Sequence, residues 1–317
     1  MTNVIAQKPS VLVMMATYNG EKYVAEQIDS ILAQEGVNVT LLISDDGSSD
    51  ATPQICSGYA QRMPNVLFAV NEKNKGLARN FMDMLYGSDP MAYDFFAFSD
   101  QDDYWMPNKL YRAIEAVAAA GEGPHLYYSD VSNVDEQLNG GSREYEAFGP
   151  YADSFALLLT VNWASGCTMV FNSSFAAVLQ QYAPRDWPRI HDGWVHLVAR
   201  SLNAQVPDLN HAYIKRRISG QNQVGERGLN SLSVHRVKRI VSSLLEPSKH
   251  DLTHAAALLL DGYAESMNDE DRELVHRFVS GQRSFARRLG MMFDPAFSQP
   301  FPLENLMFKG KMLLNIY

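Results

Sequence analysis

The 317-residue chain has only two cysteines, Cys56 and Cys167. That excludes a disulfide framework, and two isolated thiols in a helix-like and a strand-like context suit a reducing compartment. No stretch approaches the roughly 18 uninterrupted apolar residues of a membrane span. The opening MTNVIAQKPS lacks a basic segment followed by an apolar one. The expectation is a cytoplasmic protein, soluble or peripheral on the inner face of the membrane. No GxGxxG follows the first apolar run and no GxxxxGK[ST] occurs, which argues against a dinucleotide enzyme and a P-loop NTPase. Phosphates, if bound, must be held without a glycine loop, and no nucleic-acid partner is expected.

Carboxylates, in contrast, are concentrated. Asp100, Asp102 and Asp103 fall within four residues, directly after the apolar run Phe95–Phe98. Such a cluster repels itself unless a cation sits in it, and Mn²⁺ or Mg²⁺ prefers carboxylate oxygens, with substrate phosphates and water completing the shell. A plainer alternative is that Asp103 caps the helix beginning near Pro107 while the other acids are solvated.

Charge is unevenly placed. Residues 1–226 hold 15 Lys and Arg against 26 Asp and Glu, a balance of −11; residues 227–317 hold 12 against 10, a balance of +2. The basic residues cluster at 235–240 and 283–293, and the chain ends in LMFKGKMLLNIY. Apolar residues mixed with basic ones suggest a helix lying on an anionic membrane; packing of an apolar face on the protein's own core is the alternative.

Through the first 135 residues strand-like and helix-like patterns alternate. Strands are expected at Val11–Ala16, Thr40–Ile43, Asn65–Val70, Phe95–Phe98 and Leu126–Tyr128. Helices are expected at Glu21–Ala33, Pro53–Arg62, Leu77–Tyr86 and Lys109–Ala119. Alternation of this kind implies an α/β fold with a mostly parallel sheet flanked by helices. Ligands of such sheets bind beyond the carboxyl ends of the strands. Three loops there are polar: Thr17-Tyr18-Asn19-Gly20-Glu21, Ser44 to Asp50 with Asp45 and Asp46, and the acidic run with Gln101. Asn19 and Asp50 also suit helix caps, and Gly47 a tight turn.

Six segments in order, MMATYNGEKYVAEQIDSIL, SDDGSSDAT, NKGLARNF, FSDQDDYWMPNKL, GCTMVF and HDGW, resemble glycosyltransferase family 2, the inverting enzymes of GT-A fold, and especially its bacterial rhamnosyltransferase-like branch. The resemblance spans about residues 10–225. It implies a nucleotide-sugar donor, dTDP-rhamnose first and a UDP-hexose next, and a saccharide or lipid-linked saccharide acceptor in surface polysaccharide synthesis. Donor contacts would come from Thr17, Tyr18, Asn19, Asp45, Asp46, Asn80, Asp100 and Gln101, with a divalent metal on Asp100 and Asp102. Asp192 matches the family's base position, which would take the proton from the acceptor hydroxyl; a plain N-cap is its alternative. Trp163, Gly166, His191 and Trp194 would meet the acceptor, though Trp163 equally suits a core. A sugar-phosphate nucleotidyltransferase would need a glycine-rich loop with a basic residue, which Ala16–Glu21 lacks. Ser219 stands where the family often has a metal-completing His, which leaves a nucleotide-sugar-binding pseudoenzyme as an alternative. With the metal shell incomplete, Lys215, Arg216 or Arg217 would neutralise the diphosphate directly, a basic exposed strand end being the alternative. Residues 1–226 form the expected transferase domain and 227–317 a helical extension, with helices at Ser231–Leu245, Asp251–Met267 and Asp269–Met292.

Overall fold

The computed structural model describes residues 8–151, 153–186, 190–218, 251–299 and 302–317. The chain divides into two compact units. The first comprises Met1–Gly149, Ala164–Ala183 and Ala204–Gln223. Its parallel half is built from β1 (Ser10–Thr17), β2 (Asn38–Asp45), β3 (Val66–Val70) and β4 (Phe95–Ser99), in the order β3-β2-β1-β4. Nearly every residue of β1 is buried, as a central strand covered on both faces requires. Helices α1 (Val24–Leu32), α2 (Thr52–Arg62) and α3 (Leu77–Tyr86) make the crossovers, α1 burying Val24, Ile28 and Ile31 at helical spacing.

The other half of the sheet is mixed. It contains β5 (Tyr104–Trp105), β6 (Leu126–Val134), β7 (Ser142–Arg143), β8 (Val170–Asn172) and β9 (Gln205–Arg217), with α4 (Lys109–Ala119) between β5 and β6 and α5 (Ser173–Gln180) after β8. β8 runs antiparallel to β4 and β6, β6 runs parallel to β9, and β5 pairs antiparallel with β9. The mostly parallel expectation therefore holds for the first four strands. β8 is entered from a 3₁₀ turn, Gly166–Thr168, without a crossover helix, and such a strand is free to pair antiparallel. Phe98 meets Phe81 and Phe171 at centroid distances of 5.3 and 5.4 Å, joining the two halves in one core.

The second unit comprises Pro150–Trp163, Pro184–Asn203 and Val224–Tyr317. Its longer helices are α6 (His191–Ser201), α7 (Asp251–Tyr263), α8 (Asp269–Gly281), α9 (Phe285–Phe293) and α10 (Pro302–Leu314). It thus takes in two segments ahead of residue 226, because their aromatics pack here: Trp163 is edge-on to His196 and Trp194 lies 6.2 Å from Tyr263. Phe278 stacks with Phe297 and Phe308 and meets Tyr317 edge-on. The single helix expected over Asp269–Met292 is two. Ser284 caps α9 by accepting the Arg287 N–H, and a Cβ on Gly281 would fall 2.3 Å from Met291 Cε and 2.4 Å from Tyr317 Oη. A side chain there would have to push aside the Met291 methyl and the Tyr317 hydroxyl. The expected helix at Ser231–Leu245, the basic cluster at 235–240 and Ser219 lie outside the described residues.

Arg200 donates to Asp271 Oδ2 at 2.8 Å and to the Asp153 carbonyl at 2.9 Å, and both members of the ion pair are largely buried. Removing one partner leaves a buried charge. Arg200→Met should lower the urea-unfolding free energy by about 3 kcal/mol; a loss below about 1 kcal/mol would show the pair to be incidental.

Candidate functional site

Three loops meet at the carboxyl ends of β1, β2 and β4. Thr17 Oγ1 donates to Asp45 Oδ1 at 3.0 Å, and Ser48 Oγ donates to the same oxygen at 2.6 Å. Asp45 Oδ2 accepts the N–H groups of Gly47 and Ser48. Asn19 stands at φ 50°, a left-handed conformation that asparagine tolerates, and its side chain accepts the Ser49 N–H at 2.9 Å. Asp50 accepts the Glu21 N–H and Glu21 accepts the Ala51 N–H. The first two loops are thereby laced together by each other's side chains.

The acidic loop is tied to the first by Gln101. Its amide accepts the Tyr18 N–H at 2.8 Å and donates to the Tyr18 carbonyl at 3.0 Å, imitating a strand neighbour. A Cβ on Gly20 would lie 2.3 Å from Gln101 Oε1 and 2.5 Å from its Cδ. The Tyr18 side chain remains 52% exposed.

Arg217 fixes the acidic loop from the other side. It donates to the carbonyls of Asp102 (2.8 Å), Asp103 (3.3 Å) and Glu136 (3.2 Å), pairs with Glu26, and lies over the Tyr23 ring. The guanidinium is buried. Arg217 therefore holds the loop backbone rather than reaching a diphosphate, as the sequence suggested. Arg216 pairs with Glu144 and donates to Asn133.

Asp103 is fully buried and does not cap α4, whose N-cap is Asn108. Burial, then the neighbouring Asp102 and Asp100, push its carboxyl well above the usual range. Its Oδ2 has no hydrogen-bond partner. Burial also raises Asp102, against the pull of Arg217 and Arg216. Lys109 lies in the same interior, its Nζ 3.6 Å from the centroid of the Trp105 ring, and burial pushes the amine down to about 7. Cys167, whose thiol burial pushes up, has its sulfur within 4.8 Å of ligand oxygens of Asp100 and Asp103. Three groups that could hold a cation thus converge as Asp100, Asp103 and Cys167, where the sequence pointed to Asp100 and Asp102. Carboxylates with an unsatisfied buried oxygen suit a hard divalent ion; a protonated thiol does not. The half-buried Asp100 and Asp102 are the accessible members.

Several expected contact residues are occupied within the protein. Asp46 accepts from Lys75 N, Gly76 N and Asn71 Nδ2, which fixes the approach to α3. Asn80 accepts from Ser44 Oγ and Asn71 and donates to the Ser44 carbonyl. Asp45, Asp46 and Asn80 are all buried, so they build the loops and present no open face. Trp163 and Trp194 are buried in the second unit and offer no stacking surface for an acceptor, while Gly166 forms the buried turn before β8. His191 is buried and held down to about 3 by burial. Asp192 lies in the first turn of α6, whose N-cap is Ile190, and accepts the Gly193 N–H. It is not an N-cap.

Sequence reasoning missed Lys109, although it stands four and eight residues before Ala113 and Val117, which places it on the buried face of α4. The Arg217–Glu26 pair spans 191 positions, and no local pattern points to it.

The sheet order and the loops at its carboxyl edge define an α/β architecture of GT-A type. The family model for glycosyl transferase family 2 matches residues 12–179, and the chain belongs to that family. It is 39% identical over 105 residues to the dTDP-rhamnosyl transferase RfbG of Shigella flexneri, covering 32% of this chain and 36% of that protein. It is 32% identical over 131 residues to the succinoglycan biosynthesis protein ExoO of Rhizobium meliloti, covering 41% and 36%. The match spans about a third of the length of these curated relatives. The crystal structure of S. aureus TarS superposes with TM-score 0.55 at 18% identity, covering 90% of this chain and 46% of that one. TarS 1–349 in complex with UDP-GlcNAc gives 0.52 at 16%, covering 96% and 90%. The likeness is one of fold.

Two outcomes are expected from this geometry. Gly20→Ala should displace the Gln101 amide from Tyr18 and weaken nucleotide binding by about tenfold, because loop geometry is lost without touching a ligand contact; unchanged binding by titration calorimetry would contradict the clamp. His191 is neutral when folded but takes a proton near pH 6.5 when unfolded, so the unfolded state binds more protons between about pH 3 and 6.5. Stability is therefore lost as pH falls through that window, by on the order of 5 kcal/mol at most. His191→Gln should flatten this fall in pH-dependent melting, and a parallel profile would assign it to other groups.

Proposed function

We propose that the chain is a metal-assisted inverting glycosyltransferase that moves a sugar from a nucleoside-diphosphate donor to a saccharide or lipid-linked saccharide acceptor in bacterial surface polysaccharide synthesis, at the inner face of the cell membrane. The carrying observation is the acidic loop after β4, pinned by Gln101 and Arg217 with Asp100 and Asp102 half-buried at its surface. dTDP-rhamnose is the favoured donor, supported by the similarity to RfbG. A UDP-hexose comes next, in keeping with the UDP-GlcNAc complex of TarS.

In this reading Asp100 and Asp102 hold a divalent ion, which when bound neutralises the diphosphate. Tyr18, exposed on the first loop, offers a face to the base. Asp192 takes the acceptor hydroxyl proton as that oxygen forms its bond to the anomeric carbon and the bond to the diphosphate oxygen breaks. His191, neutral and buried beside it, leaves the carboxylate as the acceptor of that proton.

Assays of a nucleotide-sugar panel with Mn²⁺ and Mg²⁺ should show nucleoside-diphosphate release; release of pyrophosphate would end the transferase reading. Asp102→Ala should weaken metal-dependent donor binding. Asp192→Asn should leave that binding intact and lower turnover by roughly 10²–10⁴-fold, and near-normal turnover would remove Asp192 from the mechanism.

A further inference from the structure

α9 carries its apolar face outward. Phe285, Leu289 and Phe293 recur at four-residue spacing and so share one side of the helix. They are 57%, 40% and 77% exposed, whereas Met291 on another side is buried. α10, which contacts α9, buries Phe308 and Met312 and leaves Leu306, Leu313 and Leu314 at 70%, 41% and 64%. Helices of soluble domains ordinarily turn such a stripe inward. Large apolar side chains left open on two contacting helices mark an interaction surface.

Charge identifies what it meets. Residues 283–317 contain five basic residues, Arg283, Arg287, Arg288, Lys309 and Lys311, against Asp294 and Glu304, and the Asp294 carboxylate is already paired with Arg277. Arg288 lies over the Phe285 ring, placing a cation at the stripe itself. A second copy docking on the same patch would bring these cations onto one another, whereas an anionic bilayer neutralises them. No described helix is long and apolar enough to cross a membrane. We propose that the outward faces of α9 and α10 seat the protein on an anionic lipid surface, with Phe285, Leu289, Phe293 and Leu306 entering the headgroup–acyl boundary. The inference deepens the reading in which the acceptor is lipid-linked and rests on that reading for its purpose.

The test uses the full chain in flotation with phosphatidylcholine vesicles with and without phosphatidylglycerol. Wild type should float with the anionic vesicles only, and less at high salt, since the attraction is screened beyond roughly 10 Å at 0.1 M. The triple variant Phe285→Ser, Leu289→Ser, Phe293→Ser should lose at least about tenfold in partitioning at an unchanged melting temperature. Arg287→Ala should lose about fivefold. Failure of wild type to float, flotation of the triple variant equal to wild type, or a dimer in sedimentation that the triple variant abolishes would each overturn the proposal. Transfer to a soluble saccharide acceptor should be unaffected by the triple variant. Loss of all transfer in wild type with anionic flotation intact would sink the enzymatic reading and leave the lipid surface standing.

Discussion

Gathering carboxylates at the end of a buried strand is electrostatically costly, and the first unit is arranged around containing that cost. Ligand oxygens of Asp100 and Asp103 lie within 4.8 Å, a separation at which two ionised groups would repel by about 3 kcal/mol at an effective dielectric near 20. Burial, then the neighbouring acids, raise the Asp103 carboxyl, which favours its neutral form. Arg217 supplies a fixed positive charge from β9 while its donors grip the loop's own carbonyls. In the proposed function this loop is where a divalent ion and the phosphates that accompany it would sit.

The same economy governs the neighbouring loops. Asp45, Asp46 and Asp50 accept backbone N–H groups and hydroxyls in place of solvent, so the acidic segment SDDGSSD is chiefly architecture. Tyr18, Asn19 and Ser49 stay exposed on these loops, and Asp100 and Asp102 are half-buried. The second unit shows the converse. Its aromatic residues Trp163 and Trp194 are interior, and its outward apolar surface lies on α9 and α10.

Local pattern carried the parallel half of the sheet. The expected bounds of α3 and α4 match the structure residue for residue, and those of β1 and β4 differ by a residue or two, because uninterrupted apolar runs and helical spacing are short-range signals. The mixed half was less legible: β8 is three residues long and β9 runs on through polar positions. At the site, residue type gave the acidic loop, but burial decided roles. Asp45, Asn80 and Trp163 have the chemistry of ligand contacts and the accessibility of core, and accessibility depends on pairings across the chain. Arg217 is the clearest case. Its sequence neighbours suggested a phosphate clamp, whereas a partner 191 positions away makes it a loop anchor.

The central claim is that Arg217 organises the acidic loop for a metal-bound nucleotide. Titration calorimetry of Mn²⁺ with dTDP or UDP into wild type and Arg217→Gln, each first shown to be folded by circular dichroism, tests it most directly. The account predicts metal-dependent nucleotide binding in wild type and a weakening of about 10–100-fold in Arg217→Gln, the range seen when groups supporting metal ligands are lost. Equal affinity in the two folded proteins would contradict it.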